Sequence, residues 1–423
     1  NLLKNDDRSY FHYAICQSAE LPLKALLIYQ STKKDSAFPV KAASKPSPIT
    51  GLKQIEGSST SVEVSWSCLG GSDTRYKVEI SEQPSTGYIV VDENEYSSPT
   101  WISGLEAGKT YYVRITPFVN DSKTYEKIWG DTSAPVAVVT KPDKAPATFT
   151  HTTSTTNSIT VEWSAVPGAD VYEVEYYTTS TAKMQCITTG TSVTLENLTK
   201  NASYTIRVSG GRKYADGMTI AWSGDYISRG NVSVKPSKVS GVEVNYYWQN
   251  LSEISVRNST IECADGYQYQ LYTAYKDKNT KIRTASSTSY SSVAIQSEKL
   301  KNASVFKVRV RAYITVAGEK VYGAWSDWTY MSAPQKVTLS RSANTIKAGW
   351  SKVKGADRYV VYISKYKTYG YKKCAVTDKT SFQITKYGKS SIEKNATYYV
   401  YVVPQIKVKD VYVSTAKRDA VSE

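Results

Sequence analysis

Ser158-Ile-Thr-Val-Glu-Trp163, then Val166-Pro-Gly-Ala-Asp170, then Val171-Tyr-Glu-Val-Glu-Tyr176: these three stretches decide the fold. The first alternates apolar and polar residues, as a strand with one buried face does. The second is turn chemistry, with Pro and Gly adjacent. The third alternates again. Further along, Ser192-Val-Thr-Leu195 is a short strand, Leu198 leads into a turn, and Tyr204-Thr-Ile-Arg-Val208 is the next strand. Trp222-Ser223 and a last strand near Val232–Val234 complete the unit. Seven short strands separated by regular turns predict a two-sheet antiparallel sandwich.

The same text recurs. Leu or Ile followed six residues later by Tyr or Phe occurs as Leu105–Tyr111, Leu198–Tyr204, Leu300–Phe306 and Ile392–Tyr398. The aromatic recurs 93, 102 and 92 residues apart. Trp66, Trp163 and Trp350 keep step, with Asn258 at the third position, and Tyr76, Tyr172, Tyr267 and Tyr359 follow them. Marks that move together predict a tandem array, an architecture that acts through shape and reach.

Composition agrees. The chain has 423 residues, room for about three or four domains, with 35 Tyr and only 6 Phe. It holds no run of about 18 apolar residues, so no membrane span is expected. No secretory signal opens it, and Asn1 is not a natural start, so a piece of a longer protein is expected. Cys16, Cys68, Cys186, Cys263 and Cys374 fall about one per repeat, which gives no disulfide framework. With only His12 and His151 and no CxxC, no metal site is expected. Residues 334–423 hold 18 Lys and Arg against 6 Asp and Glu, a balance of +12 out of +15 for the whole chain.

On these residues the pattern resembles fibronectin type III over residues about 46–423. That family carries a Trp on its second strand, a Tyr on its third, and Leu-x6-Tyr entering its sixth, here Trp163, Tyr172 and Leu198/Tyr204. The resemblance implies an all-β fold of seven-stranded, immunoglobulin-like sandwiches in an elongated rod, with modules at 46–142, 143–235, 236–333 and 334–423. It implies tyrosine-corner positions at Tyr111, Tyr204, Phe306 and Tyr398. Phe306 has no phenolic OH for the corner hydrogen bond. With Asn258 also replacing Trp, the third repeat is expected to be the least regular. Spacing along the sixth strand suggests cation–π pairs Arg114/Trp129, Arg207/Trp222 and Arg309/Trp325, with Trp328 beside the last. Lys307, Arg309 and Arg311 facing Trp325-Ser-Asp-Trp328 resemble the Trp-Ser-x-Trp-Ser ladder of cytokine receptors, with Thr329 in its last place. The paired disulfides of those receptors are missing.

Residues 1–45 fit only the last two strands of a repeat: Leu3 precedes Phe11-His-Tyr-Ala-Ile15, and Ser44-Lys-Pro46 matches Thr140-Lys-Pro142. Two strands cannot bury a face alone. Either the natural chain continues upstream or another molecule supplies strands, including a second copy by strand exchange. The short joins Lys45-Pro46, Lys141-Pro142, Lys235-Pro236 and Ala333-Pro334 suggest restricted hinges and a reach on the order of 150 Å.

One surface candidate emerges, Lys365-Tyr-Lys-Thr-Tyr-Gly-Tyr-Lys-Lys373. Lys365, Tyr366, Lys367, Tyr369, Tyr371, Lys372 and Lys373 suit an anionic polymer by charge or a sugar by Tyr stacking. The competing reading is a solvated face with Lys protecting a sheet edge. Nucleic acid matches the charge but not the expected location. Asn201, Asn302 and Asn395 head Asn-x-Ser/Thr triplets in equivalent turns, as turn residues or glycan acceptors. No catalytic constellation and no cofactor site emerge. The leading expectation is a non-enzymatic extracellular spacer or adhesive segment of a surface or secreted protein, in a bacterial style, with protein or polysaccharide partners. The alternatives are an accessory or carbohydrate-binding region of a glycan-degrading enzyme, a self-assembling surface fibre using residues 1–45, and a receptor ectodomain.

Overall fold

The computed structural model describes residues 44–248, 252–275, 279–288, 290–302, 304–332, 337–415 and 421–422. The partial repeat expected over 1–45, all but its last two residues, lies outside these, as does the join at Ala333-Pro334. The chain divides into two compact units. One takes the residues up to 57, 61–104 and 110–138; the other takes 58–60, 105–109 and 139 onward.

The described chain is all-β, with one 3-10 turn at Glu298–Lys301. Repeat two shows the plan. Phe149–Ser154, Ile159–Trp163 and Ser192–Leu195 form a three-stranded antiparallel sheet. Met184–Thr188, Val171–Tyr177, Ser203–Lys213 and Ile220–Ser233 form the facing four-stranded sheet. Alternation decides which side chains meet between the sheets. Ile159, Val161 and Trp163 are buried, as are Tyr204, Ile206 and Val208. Each aliphatic side chain so buried contributes about 1.5–3 kcal/mol. Trp163 meets Tyr172 edge to face with centroids 5.6 Å apart, as Trp66 meets Tyr76 at 5.1 Å; Trp350 and Tyr359 make a tilted contact at 5.6 Å.

Three repeats depart from seven continuous strands because their last strand is split. In repeat one Lys127–Trp129 and Val136–Val139 both pair with Thr110–Asn120. The break at Asp131-Thr-Ser-Ala-Pro135 contains a residue without an N–H to donate. In repeat three Glu319–Tyr322 and Thr329–Ser332 both pair with Val305–Val316. In repeat four Val411–Ser414 and Val421–Ser422 both pair with Tyr399–Val408. Repeat two keeps one strand of 14 residues and absorbs the mismatch in two register shifts.

The Tyr of the third strand closes the turn before it. Its hydroxyl accepts the N–H of Val166 in repeat two (2.9 Å), Ile261 in repeat three (2.8 Å) and Val353 in repeat four (2.9 Å). Within the second unit, repeats two and three share one apolar cluster through Val234, Val239 and Cys263. Ala274 and Val305 of repeat three belong to the core of repeat four.

Candidate functional site

Two surfaces carry more cationic and aromatic chemistry than a sandwich needs: a ladder on repeat three and the turn Lys365–Lys373 on repeat four.

The ladder begins with strand geometry. Alternation along Val305–Val316 turns Lys307, Arg309 and Arg311 to one face. After Tyr322 the chain leaves regular pairing, and Ser326 holds it in place. The Ser326 N–H donates to the Val310 carbonyl (2.8 Å), and its Oγ accepts the Val310 N–H (3.0 Å). Trp325 and Trp328 therefore fall between the cations. The order is Tyr322, Arg311, Trp325, Arg309, Trp328, Lys307. The successive cation-to-ring distances are 3.6, 4.4, 4.4, 4.7 and 4.4 Å. The adjacent strand Gly266–Thr273 supports it from the side. Gln270 Oε1 accepts from Arg309 Nε and Nη2 (3.0 and 2.7 Å), and Gln268 Oε1 accepts from Arg311 Nε (2.9 Å). Tyr272 meets Trp328 edge to face at 5.4 Å. Burial, then the neighbouring Arg309 charge, lowers the Lys307 pKa.

The other two expected stacks are corrected. Arg114 does not lie on Trp129. It lies 4.0 Å from the Tyr88 ring and makes two hydrogen bonds to Glu79, at 3.2 and 3.1 Å. Trp129 instead receives Lys77 and Lys127 at 5.2 and 5.3 Å. Arg207 does not lie on Trp222; it sits 4.7 Å from Tyr226 and 5.6 Å from Tyr177. The reason is register. Trp129 is opposite Phe118 and Trp222 is opposite Gly211, each four residues beyond the Arg, about 13 Å along a strand. Tyr322, opposite Tyr313, holds that same place in repeat three. Trp325 is thus equivalent not to Trp129 but to Thr132. Repeat one has the same serine device: Ser133 N–H to Ile115 O at 2.9 Å, and Ile115 N–H to Ser133 Oγ at 3.0 Å. There Thr116 and Thr132 share a hydroxyl contact of 2.9 Å where repeat three has Arg311 and Trp325.

At the tyrosine-corner positions, Tyr204 Oη accepts the Thr199 N–H (2.8 Å) and Tyr398 Oη accepts the Glu393 N–H (3.3 Å). Tyr111 is buried at its corner. Phe306 makes no such bond, but Tyr247, from the first strand, meets its ring edge to face at 6.3 Å and donates its hydroxyl to the Leu300 carbonyl. Asn258 is likewise compensated. Tyr269, fully buried where the other repeats have Val78, Val174 and Val361, donates to Asn258 Oδ1 at 2.7 Å. Tyr247 and Tyr269 are the residues the sequence reading missed, although each is visible as an out-of-place aromatic.

The residues 365–371 form the turn between Arg358–Ser364 and Lys372–Thr377. Ser364 Oγ donates to the Tyr369 carbonyl at 2.6 Å and accepts the Tyr366 N–H at 2.9 Å, which folds the turn on itself. Tyr366 and Tyr369, 50% and 62% exposed, stack with centroids 4.4 Å apart and planes 12° from parallel. Tyr371 packs inward on Tyr401 at 4.6 Å. Lys365 pairs with Glu393 at 2.6 Å, which raises its pKa. Lys372 lies 4.6 Å from the Tyr387 ring. Lys367 and Lys373 are exposed. Because each stacked Tyr covers one face of the other, the turn offers cations more than a coplanar aromatic platform.

Cys68, Cys186, Cys263 and Cys374 are thiols. Burial pushes Cys263 up to about 11 and Cys374 up to about 12, far from the thiolate that reacts. Among the described residues no three His, Cys, Asp or Glu side chains converge on a metal-sized site, and no helix is long and apolar enough to cross a membrane. Asn201 adopts φ +59° and its Oδ1 accepts the Ser237 N–H at 2.9 Å, a turn residue tied to the following join.

The fibronectin type III domain family matches residues 46–137 and 144–224. Among solved structures, the FN1–FN3 domains of chicken CNTN1 are similar at 16% identity, over 69% of this chain and 99% of that one, with a TM-score of 0.26. Residues 46–137 and 144–224 of this chain are thus each similar to a fibronectin type III domain.

Proposed function

We propose that this chain is a non-enzymatic, extracellular spacer and adhesive segment of a surface or secreted protein. Its modules run 46–142, 143–235, 236–333 and 334–423. The basic last module contacts an anionic polymer at a cell surface. The observation that carries this reading is the turn 365–373, where exposed Lys367 and Lys373 stand on a repeat whose balance is +12. Charge at that density attracts polyanions with a strong dependence on salt. The sandwich cores are filled with aliphatic and aromatic side chains, which supports a structural role. The Tyr- and Lys-rich style, with the four described cysteines free, supports a bacterial surface as the setting.

Dextran sulfate and neutral dextran are the probes. The chain is expected to bind the first and not the second, with affinity falling at least tenfold between 50 and 300 mM salt, and K367E/K373E is expected to weaken it at least fivefold. Equal binding to neutral dextran would overturn the charge reading in favour of a sugar platform. The ladder on repeat three favours a receptor ectodomain as the second reading, with its rings ordered by alternating cations as in the receptors it resembles. Substituting Trp325 and Trp328 together would then abolish capture of a protein ligand while leaving dextran sulfate binding intact.

A further inference from the structure

The residue opposite the sixth-strand arginine loses its charge in repeat three. Glu79 is opposite Arg114, Glu175 is opposite Arg207, and Gln270 is opposite Arg309. In repeats one and two that acid neutralises the cations around it. Glu79 lies 3.1 Å from Arg114 and 3.4 Å from Lys77, and Glu175 lies 3.9 Å from Arg207 and 3.3 Å from Lys183. Gln270 accepts hydrogen bonds from Arg309 and brings no charge. One step along, Gln268 is opposite Arg311, where repeat two has Glu173. Thr284 and Ser286, opposite these glutamines on the edge strand Lys281–Thr288, are neutral as well.

The cations, by contrast, gather on this face. Lys307, Arg309 and Arg311 take alternate positions of one strand, about 6.8 Å apart. Tyr313 holds the next alternate position, and Lys320 lies over its ring at 4.2 Å. Among the described residues none of these four cations forms an ion pair. Asp327, between the two indoles, is taken by Lys238 at 2.8 Å. Glu319 is opposite Val316, so it belongs to the other face of the sheet. Burial, then the Arg309 charge, bears down on the Lys307 pKa, and an approaching anion relieves that repulsion.

We propose that the ladder face of repeat three binds an extended acidic peptide of a partner protein, with carboxylates at alternate residues meeting Arg309, Arg311 and Lys320. Alternate residues of such a peptide are the same distance of about 6.8 Å apart as the cations that would receive them. The rings of Tyr322, Trp325 and Trp328 lie between the guanidinium groups and fix them in place, which leaves their N–H edges for a planar carboxylate. A flexible sulfated polymer has no such period to match. The inference deepens the receptor reading of this ladder by naming the chemistry of its partner, and it rests on that reading for the partner's being a protein.

The test uses the full 423-residue chain and three fluorescent peptides. One alternates Ser and Glu, one has the same composition with its glutamates contiguous, and one alternates Ser and Gln. Anisotropy at about 50 mM salt reads the affinities. The alternating acidic peptide is expected to bind at least fivefold tighter than its contiguous isomer, and the neutral peptide is expected not to bind. Gln270→Glu gives Arg309 the acid that Arg114 and Arg207 already have, and should weaken the alternating peptide at least tenfold. Lys320→Glu, at an exposed hairpin position that leaves the core untouched, should weaken it at least fivefold. K367E/K373E should change it less than twofold. Equal affinity for the two acidic isomers overturns the proposal, as does an affinity unmoved by Gln270→Glu and Lys320→Glu, or no binding of the alternating peptide at about 1 mM. Equal binding of the neutral peptide overturns it while the receptor reading stands. Dextran sulfate weakened by Gln270→Glu as much as the peptide overturns both, because the face would then take a polymer by charge alone.

Discussion

Repeats two and three build the same sandwich from different residues. Repeat two fills the space between its sheets with Trp163 and Val174; repeat three uses Asn258 and Tyr269. The large and small members have changed places across the core, so the volume is kept while the identities are lost. Hydrogen bonding improves in the exchange. The buried Trp163 indole N–H has no hydrogen-bond partner among the described residues, whereas Tyr269 Oη and Asn258 Oδ1 satisfy each other at 2.7 Å. The corner shows the same logic. Repeat two takes its hydroxyl from Tyr204 on the sixth strand; repeat three puts Phe306 there and brings the hydroxyl of Tyr247 from the first. The fold demands a filled volume and satisfied backbone groups, and it accepts those from more than one strand.

Tyr269→Val breaks the comparison most severely. It leaves a cavity the size of a ring and strands Asn258 Oδ1, and should cost about 3–4 kcal/mol of repeat-three stability. Asn258→Trp alone overpacks the same space and should cost about 1–3 kcal/mol. The double substitution recreates the repeat-two pair and should recover most of the loss. Denaturation of the full chain followed by amide exchange in Glu253–Arg257 and Gly266–Thr273 reads each repeat separately. Additive costs in the double variant would show that the two positions do not exchange volume.

Tyr247→Phe comes next, at about 1–2 kcal/mol, because it leaves the Leu300 carbonyl without the hydroxyl that reaches it. Phe306→Tyr should recover part of that loss in the Tyr247→Phe background and give no benefit on its own, where two hydroxyls would compete for one corner. A benefit in both backgrounds would mean that the two routes are independent.

The repeat, the sandwich and its third-strand Tyr were legible because each rests on a local pattern, alternation or a fixed spacing, that survives substitution. Tyr269 and Tyr247 were not, because each acts on a residue far away in sequence, and only sheet pairing puts them together. The misplacement of Trp129 and Trp222 has the same origin. Their distance from Arg114 and Arg207 in sequence matched that from Arg309 to Trp325 within one residue. However, the hairpin register sets Trp129 opposite Phe118, whereas Trp325 lies in the break after Tyr322, where Ser326 and not a strand ladder positions the chain. Spacing across a turn carries no information about register until the turn itself is known.

The ladder sharpens the comparison at smaller scale. Arg309 lies against two indoles, Arg207 against two phenols at longer range. Arg→Met keeps the stem and removes the charge. Arg309→Met should cost about 1–2 kcal/mol and red-shift the emission of Trp325 and Trp328, while Arg207→Met should cost less than about 1 kcal/mol. A larger cost at Arg207 would place the stabilisation in the ion pair with Glu175 and not in the rings.

The residue beneath each Arg separates these contributions by pH. Arg114 pairs across the sheet with Glu79, Arg207 with Glu175, and Arg309 with Gln270. Burial by itself would raise the Glu79 pKa, but the hydrogen bonds from Arg114 and the charge of Lys77 outweigh it and hold the carboxyl below its ordinary range. A carboxylate lowered on folding stabilises above its unfolded pKa, about 4.3, and that stabilisation is lost as pH falls through the lower folded value. Repeat one should therefore lose an increment below about 1 kcal/mol between pH 5 and the acid limit, and Glu79→Gln should flatten that slope. Repeat three, with neutral Gln270 in the same place, should show no such increment from this position, and Gln270→Glu should create one. Amide exchange at pH 5 and pH 3 in Arg75–Ser81 and Gly266–Thr273 measures both. If Glu79→Gln left the acid slope of repeat one unchanged, Arg114 would be held by the Tyr88 ring and not by the carboxylate.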